Sequence, residues 1–473
     1  MENQTVTSKK VPMSQKIAFG VGMLANQMFP AALGVFIIVL VQDLGFAALL
    51  WGIIQFAPRI FDAITDPIMG FISDNTKSKW GRRRQYVFIG GILMGIAYIA
   101  MWQIHRDDGI LFNFIYFFLW SLVFYLGLTI FSVPYVAMGY EISEDFHERT
   151  QIMAIAQFIG QWAWVIAPWF WVILYDPEWF PIGADQGVRE LSVWVALSCT
   201  LFAIVPAIFI KSKSTLDRTD FLPINATYVL KSIKGIFLSA FEAFKIKQFR
   251  KIAFATFLIF NSFNVIAPYT FLIIVHYLFN SDPASAGSWP AMHGSVGALI
   301  TSFLIIPLIT LMSRKMGKKR AFMVSQFISI IGYILFWFLF VPGKPHLFLY
   351  ALPFHSFGIG SLFTIMMSMT ADVCDLDELN TGKRREGVLG AVYWWMVKLG
   401  YGVAALLGGL FLMIVGFDAA NVTESAVTGM RLFYTLLPIA GVIGAVMIMK
   451  NYDITEQKAA EIKKALIGQR KQS

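Results

Sequence analysis

The chain has 473 residues, 57% hydrophobic and only 14% charged, whereas a soluble domain carries about 25% charge. With a mean hydropathy of +0.64, that balance excludes a soluble globular domain and points to an integral membrane protein. The formal charge of +9 sits in short loops between apolar runs, which fits the positive-inside pattern and excludes nucleic acid as a partner. Two cysteines, Cys199 and Cys374, lie in or beside apolar segments and offer no disulfide framework.

In chain order, a polar stretch over 1–15 leads straight into an apolar run too long for the core of a cleavable signal, so the first span is expected to be retained. Runs of about 20 apolar residues are needed to cross roughly 30 Å of hydrocarbon. Twelve occur, at 17–41, 49–72, 86–102, 111–138, 152–175 and 191–210, then at 252–279, 291–312, 321–341, 347–371, 388–415 and 429–449.

Lysine and arginine set the orientation. The loops after spans 2, 4, 6, 8 and 10 hold Lys77, Lys79, Arg82, Arg83 and Arg84, then Arg149, then Lys211, Lys213 and Arg218, then Arg314, Lys315, Lys318, Lys319 and Arg320, and finally Lys383, Arg384 and Arg385. If the spans alternate, all of these share one side, which is then the cytoplasm, and both termini lie there.

The pattern predicts an all-α membrane fold of two six-helix halves. The first occupies 1–210 and carries the cation site. A cytoplasmic connector follows over 211–251, then the second half over 252–450 and a short tail helix over 451–473. Within the connector, TYVLKSIKGIFLSAFEAFKIKQFRK has an apolar face ringed by lysines. It either lies on the inner leaflet as an amphipathic helix or packs on the bundle as a plain linker.

The halves echo each other, as in many transporters. TKSKWGRRRQ after span 2 matches SRKMGKKRA after span 8, and GYEISEDFHERT after span 4 matches TADVCDLDELNTGKRREG after span 10. The charged residues here form a candidate cytoplasmic gate: Arg82, Arg83, Arg84, Glu141 and Arg149 in the first half, Asp375, Asp377, Glu378, Arg384 and Arg385 in the second. Opposite charges at helix ends can pair across the halves when the inner side closes; ordinary topology charge is the alternative reading.

Ionisable residues inside the spans are few: Arg59, Asp62 and Asp66 in span 2, His355 in span 10 and Lys398 in span 11. With no Ser/His/Asp set, no Cys/His ligand spacing and no glycine-rich phosphate loop, the chain does not read as an enzyme. Asp62 and Asp66 are four residues apart and so stack on one helix face. A charge in hydrocarbon costs roughly 2.5 to 3.5 kcal/mol on insertion scales, so it faces a cavity, a partner or an ion. Two hard oxygen donors suit sodium, and a carboxylate that takes up a proton serves equally. The alternative is a structural pair satisfied by Arg59 and Lys398.

Thr129 and Ser132 lie three apart in span 4, just before Pro134; hydroxyls in helices usually bond their own backbone. In span 11, VYWWMVKLGYG sets Trp394, Trp395 and Tyr401 on the side of Lys398, and sugar rings stack on such aromatic planes, although tryptophan also anchors spans at the interface. Gln157, Gln161 and Trp164 line one face of span 5, with Asn26 and Gln27 in span 1 and Asn261 and Asn264 in span 7. These are candidate sugar-binding groups, or glue between helices.

RIFDAITDPIMGFISDNTKSKWGRRR, the Pro134 segment and ADVCDLDELNTGKRREGVLGAVYWWMVKLG together resemble the glycoside-pentoside-hexuronide:cation symporters, the melibiose permease-like branch of the major facilitator superfamily. The resemblance covers nearly the whole chain. It implies a major facilitator fold, alternating access, and cation-coupled symport of a sugar by a monomer in a bacterial inner membrane, with no cofactor beyond sodium or a proton.

Residue by residue, the resemblance makes Asp62 and Asp66 the cation acids, with sodium held there if the ion is not a proton. Thr129 becomes a further ligand, and Lys398 and Arg59 become coupling groups. Where the family's type member has a third span-4 aspartate this chain has Ser132. Its sugar-binding span-1 aspartate falls at about Asn26, its span-4 tryptophan at Val136 and its span-5 arginine at Gln157. Fewer acids beside Lys398 point to a sugar other than melibiose, a uronide or its oligomer among them. Eukaryotic lysophospholipid carriers resemble the same family, with a similar acid pair and lysine, so cation-coupled lysolipid transport is the alternative.

Overall fold

In hydrocarbon every backbone polar group must be bonded within its own segment or a closed barrel, so long apolar runs become helices. The structure, a computed structural model, describes residues 11–143, 145–212, 214–217, 221–382 and 385–472, and among them it is helical with no strand. The helices of the first half are α1 (Met13–Gln42), α2 (Ala48–Asp74), α3 (Arg84–Met101), α4 (Ile110–Glu141), α5 (Phe146–Ile166) and α6 (Ala184–Phe209). The connector contains α7 (Ala226–Lys245). Then come α8 (Lys247–Leu278), α9 (Pro283–Met316), α10 (Lys318–Leu339), α11 (Pro345–Thr381), α12 (Glu386–Ile414) and α13 (Glu424–Lys450), with α14 (Glu456–Gln472) at the tail.

Eleven helices among the described residues are long and apolar enough to cross a bilayer. The remaining expected span, α2, has 27 residues, about 40 Å of helix. It has the length to cross, but it carries Arg59, Asp62 and Asp66. Proline sits inside α1, α4, α8 and α13, at Pro30, Pro134, Pro268 and Pro438, where neighbouring helices and local adjustments compensate for the lost hydrogen bond.

The chain divides into two compact units. One comprises the chain up to Val39, Ile64–Leu174 and Glu178–Ile233; the other comprises Leu40–Ala63, Tyr175–Pro177 and the chain from Lys234 onward. The division therefore runs through α2 and α7, so the beginning of α2 is built into the packing of the second unit. In the first unit α3 and α4 approach at backbone distance: a Cβ at Gly127 would lie 2.7 Å from the Met94 nitrogen. An aromatic core of Phe29, Tyr98 and Phe124 packs beside them, with ring centroids 5.3 to 5.9 Å apart. In the second unit the tail helix is part of the core, where Ile462 and Leu466 are buried with Phe249, Phe322 and Met366.

Candidate functional site

Helix α2 meets α12 through small residues. A Cβ at Gly52 would lie 3.2 Å from the Ala405 carbonyl oxygen, and one at Gly409 would collide with the Ala48 carbonyl oxygen. A side chain at Gly409 has no room at that crossing and one at Gly52 is tight, and the close approach brings the charged turn of α2 within reach of α12. Lys398 donates from Nζ to Asp62 Oδ2 at 2.8 Å. The Asp62 side chain is 3% exposed and that of Lys398 29%. One turn earlier on α2, the Arg59 guanidinium lies 4.9 Å from the Tyr401 ring centroid, and Tyr401 also meets Phe260 edge to face at 4.6 Å. Taking two charges from water is costly unless the geometry is good, and here the lysine supplies the positive partner that a buried carboxylate requires.

In the first unit Asp66 accepts a hydrogen bond from Thr129 Oγ1 at 3.1 Å. Thr129 is buried on α4, and its hydroxyl lies 3.1 Å from that of Thr65. Asp66, Thr65 and Thr129 thus make a compact set of hard oxygen donors of the kind that holds a small cation. Sequence reasoning did not single out Thr65; its only signal was its place beside Asp66 in DAITDP. Ser132, one turn along α4 and half-buried, does not join this set.

Two candidate sugar-binding groups of the first unit, Gln157 and Trp164, meet at a third, Gln27. Gln27 Oε1 accepts from the Trp164 indole N–H at 3.0 Å, and Gln27 Nε2 lies 3.5 Å from Gln157 Oε1. Trp164 and Gln157 are both exposed, so an indole face and two amides are presented together. Asn26 reaches only the Met23 sulfur, at 3.9 Å, and Gln161 is half-buried.

The candidates of the second unit separate. Asn261 crosses to α12 and donates to the Gly400 carbonyl at 3.3 Å, as interhelical glue does. Asn264 turns back on α8 and bonds the Phe260 carbonyl at 2.8 Å. Trp394 and Trp395 are exposed.

At the helix ends, Arg82 pairs with Glu141. Arg83 pairs with Asp74 at 2.6 Å and with Glu141 at 3.4 Å. Arg84 bonds the Ala207 and Ile208 carbonyls at 2.7 and 3.1 Å, and Arg149 bonds the Ser143 carbonyl at 3.0 and 3.3 Å. The second unit repeats the design: Lys318, at the start of α10, pairs with Asp372 of α11 at 2.6 Å.

Arg385 grips Asp377 with two bonds of 2.8 and 2.6 Å and pairs with Glu242 at 2.7 Å. The hydrogen bonds to Asp377 raise the guanidinium pKa above its ordinary value. Each of these pairs is internal to its unit. Asp375 and Glu378 lie half-buried on α11, and Arg384 lies outside the described residues.

The pattern of the MFS/sugar transport protein family matches residues 18–456. Among curated relatives, "Uncharacterized symporter sll1374" of Synechocystis is 24% identical, with 98% of each chain covered. "Glucuronide carrier protein homolog" of Escherichia coli is 22% identical, covering 94% of this chain and 93% of the relative. Among solved structures, a D-xylose-proton symporter superposes with a TM-score of 0.63 at 15% identity, covering 92% of this chain and 97% of that one, which is a likeness of fold.

Proposed function

The chain belongs to the MFS/sugar transport protein family, and from that premise we propose that it couples the downhill entry of sodium or a proton to the uptake of a sugar or glycoside by alternating access. The observation that carries the reading is the ion pair between the buried Asp62 and Lys398. A cation entering that place competes with the ammonium for one carboxylate, so occupancy by the ion and the position of Lys398 are linked. Within the first unit, Asp66, Thr65 and Thr129 offer a set of oxygen ligands that suits a small cation. Gln27, Gln157 and Trp164 present a stacking plane with hydrogen-bonding groups, which suits a sugar ring. A uronide is the favoured class: the cluster of Gln27, Gln157 and Trp164 is made of amides and an indole, none of which repels an acid, and the E. coli relative is named for a glucuronide carrier. The basic loops face the cytoplasm with both termini, in a bacterial inner membrane, and the protein works as a monomer.

The test is flux into proteoliposomes under separate sodium and proton gradients, with neutral sugars, uronic sugars and lysolipid as substrates. One gradient is expected to drive sugar accumulation, and Asp62→Cys to abolish it. Lysolipid uptake without sugar uptake would overturn the substrate class, and undiminished accumulation in Asp62→Cys would overturn the ion site.

A further inference from the structure

The connector helix α7 has two faces with opposite fates. Its last turns are pinned to the second unit: Ala243 is buried, Ala240 and Phe244 pack on the core, and Glu242 pairs with Arg385 at 2.7 Å. Arg385, between α11 and α12, in turn holds Asp377 of α11. The plain-linker reading therefore accounts for this face.

The other face is uncovered. Leu230, Phe237 and Phe241 are 65%, 54% and 65% exposed, and their spacing of seven and then four residues puts them on one stripe. Leu238 extends the stripe, and Lys231, Lys234 and Lys245 border it, all exposed. The Lys245 ammonium lies 5.1 Å from the Phe241 ring centroid. A single residue, Ile246, separates α7 from α8, one of the helices apolar enough to cross a bilayer. The apolar stripe is thus tethered within a few residues of the point where the chain enters the membrane.

We propose that α7 is an interfacial anchor for anionic phospholipid. Leu230, Phe237 and Phe241 insert at the boundary between headgroups and acyl chains, and Lys231, Lys234 and Lys245 pair with the lipid phosphates. Large apolar groups flanked by lysines, held at the depth of the interface, match that boundary in both polarity and charge. Only the naming of the leaflet, cytoplasmic, rests on the orientation proposed above. Each lysine near an anionic surface favours the membrane by about fivefold, so three together favour it by about a hundredfold.

The experiment labels Leu230→Cys, and separately Phe237→Cys, with an environment-sensitive fluorophore in the full-length protein. Cys199 and Cys374 are buried, so the label reports on the introduced site. The protein is reconstituted into vesicles of phosphatidylcholine alone or with phosphatidylglycerol. With phosphatidylglycerol, both sites are expected to show blue-shifted emission, quenching by spin-labelled lipid and a severalfold loss of quenching by aqueous iodide. Lys231→Glu, Lys234→Glu and Lys245→Glu together should return both labels to water without changing the elution of the folded protein. Full iodide access in both vesicles would overturn the proposal. So would lipid quenching indifferent to headgroup charge and to the lysines, or protection that appears only when cytosolic protein is added.

Discussion

Lys398→Ala, Asp62→Asn and their combination form a cycle that measures the ion pair on α2 and α12. Removing one partner of a buried pair leaves an uncompensated charge and costs about 3 to 5 kcal/mol. Asp62 is 3% exposed, but Lys398 is 29% exposed, so solvent screens one end and the low figure, about 3 kcal/mol, applies. The Lys398→Ala protein removes the ammonium that faces the carboxylate and should lose much of that amount. The double variant buries no charge and should recover most of it, giving a coupling energy of about 2 to 3 kcal/mol. The assay is thermal unfolding of the purified protein, repeated with and without sodium. Freed of its ammonium, Asp62 should respond more strongly to a cation: at a hundred times its dissociation constant, a bound ion contributes about 2.7 kcal/mol. Should the losses of the two single variants add in the double to within about 0.5 kcal/mol, as they do for independent sites, the pair carries no energy and the coupling argument fails.

Thr129→Ala removes the hydroxyl that donates to Asp66; a hydrogen bond to a charged group contributes about 1.5 to 3 kcal/mol, so the half-saturating cation concentration should rise at least about tenfold in ion-titrated uptake, with sugar KM unchanged at saturating ion. Gln27→Leu deprives the Trp164 indole of its acceptor, and a neutral bond of about 1 kcal/mol predicts a roughly fivefold rise in sugar KM without a fall in unfolding temperature. Gly409→Val drives a side chain into the Ala48 carbonyl and should cost about 1 to 3 kcal/mol of stability, read as a lower unfolding temperature. The same variant should weaken the Asp62–Lys398 coupling, because it spreads α2 from α12.

The all-helical fold was legible because a membrane permits few alternatives: apolar length alone predicts a helix. The acids of α2 were legible because their burial is too costly to be accidental. What sequence could not tell was which face each polar group would take. Asn261 and Asn264 are three residues apart and chemically identical, yet one crosses to Gly400 and the other bonds its own helix. Thr65 looked like an ordinary helix hydroxyl until Thr129 arrived from α4. The crossing of Gly52 and Gly409 joins positions far apart in the chain, and no local pattern announces such a meeting. For the same reason no local pattern marks the division inside α2. In the connector, periodicity left two readings open, and the helix packs one face on the second unit while it leaves an apolar stripe exposed.

The division of α2 bears on coupling. Its residues up to Ala63 belong to the second unit and those from Ile64 to the first. Asp62 is therefore satisfied by Lys398 of α12, and Asp66 by Thr129 of α4. A ligand moves a conformational equilibrium only as far as its affinities for the two states differ. An arrangement in which Lys398 pairs with Asp62 has less need of a cation there than one in which the lysine withdraws and leaves the carboxylate more open to an ion. With the pair worth about 3 kcal/mol, the affinity of that carboxylate for a cation differs between the two arrangements by up to roughly two orders of magnitude. A difference of that size would be enough to link ion occupancy to the conformation of a transporter, and under the proposed function Lys398 is the group on which that linkage turns.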